Sequence, residues 1–129
     1  MSRYLGVIPL LLLLVLPAQQ ATNIIGTWRV TDENVKTKGP REVIIRSDSS
    51  ASWGDEHARW RLIDKERQIM IAVGGMWETY QIRVKGNTLT LSGSDLPDPV
   101  SLKRVGPPGP RPTGVPVPPD PDTEPPRRR

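Results

Sequence analysis

The sequence predicts an all-β fold: a single small antiparallel up-and-down barrel of about seven to eight strands, with a proline-rich tail behind it. Three observations predict it. From Ile24 to Val105 apolar residues alternate with polar ones, which is the two-residue period of a strand rather than the 3.6-residue period of a helix. Most of the polar links between the alternating runs are only a few residues long, and links that short join antiparallel neighbours. Each run has one oily face and one wetted face, and a meander of such runs hides the oily face and both its edges by closing on itself.

The first element is a leader, residues 1–21. Met1-Ser2-Arg3 carries one positive charge, Leu5 to Leu16 is a run of about a dozen apolar residues, and Pro17-Ala18-Gln19-Gln20-Ala21 adds small and polar residues. That order is a secretory signal peptide, with cleavage expected after Ala18 or Ala21. The apolar run is shorter than the roughly 20 residues a membrane span needs. The 129-residue chain has no cysteine, so an exported product has no disulfide and no thiolate metal site. Nor is there a cysteine at the leader junction to carry a lipid. The expectation is a soluble, exported bacterial protein, periplasmic or secreted.

Residues 22–105 form the expected barrel domain. Ile24, Gly26, Trp28 and Val30 share one face, and Ile25, Thr27 and Arg29 share the other. The inward sets continue with Val43 and Ile45; Ala58, Trp60 and Leu62; Ile69, Ile71 and Val73; Tyr80, Ile82 and Val84; Leu89 and Leu91; and Val100 and Leu102. The links read as Ser47-Asp48-Ser49-Ser50, Asp64-Lys65-Glu66-Arg67, Gly74-Gly75 and Lys85-Gly86-Asn87, the last a tight hairpin with glycine in the left-handed region. Two longer links are expected, Asp32 to Pro40 and Gly93 to Pro99. "WRLIDKERQIMI" (60–71) and "YQIRVKGNTLTL" (80–91) align without a gap, as two hairpins of equal length would.

Gly26-Thr27-Trp28 resembles the Gly-x-Trp signature on the first strand of lipocalin-like barrels. "GNTLTLSG" (86–93) followed by "VSLKRV" (100–105) is similar to the end of small bacterial lipocalin-like domains, whose final strand ends in Lys or Arg. The resemblance covers about 80 residues. It implies a glycine that admits a close neighbour and a tryptophan that plugs the barrel floor.

The chain has four tryptophans and no phenylalanine. Trp28, Trp53 and Trp60 fall on the inner face, and Trp77 is out of phase with Tyr80, which puts it outside or at the rim. The inner indoles read first as filling for a small barrel and second as walls of an aromatic pocket. Arg46, Arg59, Arg61, Arg83 and Lys103 fall outside, in a polar wall with Glu42 and Glu78. The pairs Asp32-Glu33 and Asp55-Glu56 read as solvated turns, and His57, the lone histidine, has no partner at a spacing that makes a triad or a zinc site. Gly74-Gly75 lacks the lysine and helix of a phosphate loop. No catalytic set, metal or cofactor is expected, so the chain does not read as an enzyme.

The formal charge of +4 is too mild for a nucleic-acid partner. Residues 106–129 hold 10 prolines among 24 residues and are expected to be a disordered, polyproline-rich tail. "PGPRP" (108–112) could dock an aromatic groove on a partner, and Arg127-Arg128-Arg129 could touch an anionic surface. The functional expectation is an exported, non-enzymatic lipocalin-like binding protein. Its ligand would be small and apolar or aromatic, held by Trp28, Trp60, Trp77 and Tyr80. The alternative is an envelope-associated protein-interaction module, for example an inhibitor-like barrel, acting through its outer face or a protein partner of the tail. A monomer without a stable membrane anchor is expected in either case.

Overall fold

The computed structural model describes residues 23–30 and 39–123. Eight strands follow in chain order: β1 Gly26–Val30, β2 Glu42–Ile45, β3 Ser50–Trp53, β4 Glu56–Ile63, β5 Gln68–Val73, β6 Met76–Lys85, β7 Thr88–Gly93 and β8 Leu96–Gly106. Each strand pairs antiparallel with the next, and β8 returns to pair with β1, so the sheet is a closed up-and-down barrel. The leader (1–21) and Asp32-Glu33 lie outside the described residues.

Alternation does what the sequence implies. Trp28, Val43, Ile45, Ala58, Ile69, Ile71, Tyr80, Ile82, Leu89, Leu91, Val100 and Leu102 are buried in one core. Trp53, Trp60, Leu62, Val73 and Val84 pack against it partly buried. Burial of this apolar surface, at roughly 25 cal/mol per Å², is the main favourable contribution to the fold.

Three local readings differ from the structure. Ser50-Ala51-Ser52-Trp53 is a strand, β3, and not partly a link; its small residues hide the alternation, but Ala51 and Trp53 point inward against Ala58 and Val43. The expected link Gly93 to Pro99 is mostly strand, since β8 already begins at Leu96. Pro97 and Pro99 have no N–H to give a ladder, and they fit because the β7–β8 register shifts between Leu91 and Gly93. The two aligned hairpins are not equal. The pair Ile63↔Gln68 encloses four residues and Lys85↔Thr88 only two. Gly86 opens the shorter turn at φ 59°.

The floor shows what Gly26-x-Trp28 is for. Trp28 is fully buried, and its indole N–H donates to the Ile24 carbonyl at 2.9 Å. Arg104, near the end of β8, lays its guanidinium 4.3 Å from the centre of that indole. The same guanidinium donates to the carbonyls of Asn23 and Ile25. Gly26 has φ 155°, and a Cβ there would lie 2.5 Å from Arg104 Nη1. Only glycine lets the arginine through to staple the first strand to the last.

The tail departs from the disorder expected of it. Residues 107–123 follow a defined path back over the outside of the barrel, as a strap. Thr27 Oγ1 donates to the Pro107 carbonyl at 2.8 Å as the strap leaves β8. A turn brings Val115 N–H to the Pro112 carbonyl at 3.2 Å, with Gly114 at φ 81°. The composition hides this because a proline-rich segment has few apolar side chains to bury; its docking depends on its carbonyls and carboxylates and on arginines from distant strands. Residues 124–129, including Arg127-Arg128-Arg129, lie outside the described residues.

Candidate functional site: the strapped wall and the barrel mouth

The wall under the strap is built by strand register. Arg59 of β4 sits opposite Ala72 of β5, and Ala72 sits opposite Trp77 of β6, so the three form one outward row. Arg61 stands two residues along β4 on the same outer face and lies 4.5 Å from the centre of the Trp77 ring. A guanidinium over an indole face is attracted by the ring quadrupole. Arg59 Nε donates to the Pro118 carbonyl at 2.8 Å. Arg61 Nη2 donates to Asp122 at 2.7 Å, and Nη1 lies 4.0 Å from Asp120. The Asp120 side chain also accepts from the Asp122 amide at 2.9 Å, which fixes the spacing of the two carboxylates. Ala72 faces away from the core and is still only 1% exposed.

The wall extends past β3 to the β2–β3 turn. Arg46 is 6% exposed and donates from Nη2 to Ser52 Oγ at 3.0 Å. Burial lowers the pKa of its guanidinium. Ser50 donates to Asp48 from both its hydroxyl and its amide, at 2.6 and 2.9 Å. Those bonds, the hydroxyl's first, hold the Asp48 carboxyl below the usual range. Arg111 of the strap lies 3.5 Å from Asp48 as an ion pair. The strap is thus tied at one end by its own arginine and at the other by its own aspartates.

Polar satisfaction under the strap is incomplete. Trp77 Nε1, Arg61 Nε and Arg46 Nε are shielded from solvent and meet no acceptor among the described residues. A shielded donor without an acceptor loses its hydration and receives nothing in return.

The mouth, at the end away from Trp28, holds a second cluster. Trp53 and Tyr80 meet with ring centres 5.1 Å apart and planes inclined at 36°. The Tyr80 hydroxyl donates to Asp95 at 3.2 Å. Burial first, and then the Asp95 charge, push the Tyr80 pKa up to about 12. Glu78 shares the inward phase of Tyr80 at this rim and accepts from Ser94 Oγ at 2.5 Å, so it is not part of the outer wall.

The four residues expected to hold a small ligand do not form one site. Trp28 is the floor. Trp60 donates its indole N–H to the Arg46 carbonyl at 2.8 Å. Trp77 is outside, under Arg61. Tyr80 is at the mouth with Trp53, which sequence reasoning left out of the site. His57 and the pair Asp55-Glu56 are exposed, and no group of three metal-binding side chains occurs among the described residues. Open depressions occur beside Arg29, Arg41 and Glu42, along 111–116 of the strap, and on β6–β7 at Gln81, Arg83, Thr90 and Ser92. The sequence already sets Trp77 outside or at the rim by its phase; its pairing with outward Ala72 comes from the β5–β6 register.

No protein-family model, curated protein or solved structure matches the chain.

Proposed function

We propose that this chain is an exported, non-enzymatic, lipocalin-like barrel that binds a protein partner through its outer wall at β3–β6. One observation carries this reading. Arg59, and Arg61 backed by Trp77, hold a proline-rich segment by a carbonyl and two carboxylates, while the barrel's inward side chains pack in one core. Arginine and tryptophan are the residue types that most often anchor interfaces, because a planar cation on an aromatic face presents donors with little freedom left to lose. Export is supported by the leader's sequence. The lipocalin-like kinship is supported by Gly26-x-Trp28 lying on the first strand of a closed up-and-down barrel.

The test is site-specific photocrosslinking in the producing cell. A photoreactive residue at Thr79, on the wall, should give protein adducts at several times the yield of one at Ser101, on the opposite strands. Equal or reversed yields overturn the reading.

A second reading, a small apolar or aromatic ligand at the mouth, is favoured by the partly buried Trp53 against Tyr80. There, an apolar dye should quench tryptophan fluorescence in the native chain and not in Trp53→Ala. An unquenched native chain overturns it.

A further inference from the structure

We propose that the partner of this wall is a proline-rich segment that ends in a turn carrying two carboxylates one residue apart, and that residues 115–123 of the chain are its built-in stand-in. The inference rests on the wall being a protein-binding surface and adds the chemistry of what it binds.

The strap shows which features the wall can read. Val115-Pro116-Val117-Pro118-Pro119-Asp120-Pro121-Asp122-Thr123 holds four prolines in nine residues, a composition that favours polyproline II. That conformation makes no internal hydrogen bonds, so the carbonyls ahead of Asp120 are free for a partner; from Asp120 to Thr123 the segment closes a turn, the Thr123 amide donating to the Asp120 carbonyl at 3.0 Å. Arg59 takes one of them, from Pro118. Arg61 stands between the carboxylates of Asp120 and Asp122, and Trp77 backs it from the other side. The recognised pattern is therefore a carbonyl in a proline run, followed by two acids spaced i and i+2. A stiff segment of this kind has little conformational freedom to lose on docking.

The stand-in is an imperfect occupant. Trp77 Nε1 and Arg61 Nε, beside the residues it touches, remain without acceptors. A segment that offers carbonyls or carboxylates to those donors would hold the wall better than the strap does. The strap nevertheless has the advantage of tethering, which gives it an effective concentration on the order of millimolar. An intact chain therefore resists weak ligands and exchanges its strap for better ones.

The experiment uses the full chain. Asp120→Asn combined with Asp122→Asn removes the strap's charges and leaves its prolines. The probe is the blocked nonapeptide VPVPPDPDT, with VPVPPNPNT as the uncharged control, and binding is read by calorimetry and tryptophan fluorescence. The loosened chain should bind the acidic peptide at least tenfold more tightly than the native chain does. It should bind the uncharged peptide at least tenfold more weakly than the acidic one. Adding Arg61→Ala to the loosened chain should abolish binding while the β-sheet circular dichroism stays unchanged. Absence of peptide binding by a folded, loosened chain overturns the proposal, and so does equal binding of the two peptides. A concentration-dependent dimer that the peptide cannot dissolve also overturns it, by showing strap exchange between copies. If Thr79 still crosslinks while the peptide fails, the partner chemistry falls and the wall reading stands; if both fail, the wall reading falls as well.

Discussion

Two sides of the same barrel follow the same alternation and end up different. On the side of β7 and β8 the outward residues are Thr88, Thr90, Ser101 and Lys103. They bond one another across the strands: Lys103 to Thr88 at 3.1 Å, Thr90 with Ser101 at 3.5 Å. On the side of β4 to β6 the outward residues are Arg59, Arg61, Ala72 and Trp77, and their main partners, apart from the Arg61–Trp77 contact, are in the strap. The bare side is satisfied by itself and by water. The strapped side is covered: Ala72, between Arg59 and Trp77, is 1% exposed although it faces outward. The outward positions of a barrel strand therefore carry as much information as the inward ones.

The comparison can be broken first through what both sides share. Trp28→Ala removes the floor, its bond to Ile24 and the seat of Arg104. The expected loss is about 3–5 kcal/mol of unfolding free energy by urea titration. Hydrogen exchange should speed up on both sides together; protection kept on one side alone would mean separate cores.

Alkali tests the shared interior at its other end. Burial raises the Tyr80 pKa from 10.0 to about 12, so the folded state holds that proton more tightly than the unfolded one. The contribution is fully present below about pH 10 and is lost as pH rises towards 12, a swing of roughly 2–3 kcal/mol. Urea titrations at pH 8 and 11.5 should show this portion of the alkaline loss in the native chain and not in Tyr80→Phe.

A paired substitution then separates the two sides. Ala72→Glu places a charge under the strap, and Thr90→Glu places one on the bare side. The first should cost about 1–2 kcal/mol, capped because the strap can lift away and let water reach the carboxylate. The second should stay within about 0.5 kcal/mol. Proteolysis within residues 107–123 should accelerate only in Ala72→Glu, and equal acceleration would remove the distinction.

Among the changes on the strapped side, Arg61→Ala has the smallest expected effect on stability. It loses an exposed ion pair and a cation–π contact, together about 1 kcal/mol. Lys103→Ala on the bare side should lose less than about 0.5 kcal/mol. The readout is amide exchange in the strap, which should rise with the first variant and not with the second.

Most of the barrel could be read in the sequence because its strands carry large apolar residues at every second position. Where small residues or prolines interrupt that rhythm the reading weakens, as at Ser50-Ala51-Ser52 and at Pro97 and Pro99. The Gly26 and Trp28 pairing was legible from a short motif, and Arg104 follows from the final strand ending in a cation. The strap was not legible. Its contacts join residues far apart in sequence, Arg59 with Pro118 and Arg61 with Asp122, and its proline content alone argues for disorder. Trp53 was placed inside correctly, but its contact with Tyr80 depends on barrel closure and not on sequence spacing. Strand phase already set Trp77 outside or at the rim, but which of Trp28, Trp60, Trp77 and Tyr80 meet depends on where each lies along the closed barrel, which spacing does not give.

The seam between β1 and β8 also sets how the molecule responds to force. Thr27 lies beside Gly106, so the chain enters and leaves the closed sheet at the same rim. A pull on the two ends loads the seam's hydrogen bonds one after another, as a zip, and not all at once in shear. Once the strap has lifted, the Arg104 staple to Asn23 and Ile25 becomes the first tooth of that zip. A molecule stretched between its ends should yield at low tension, although urea unfolds it only against the full weight of its core.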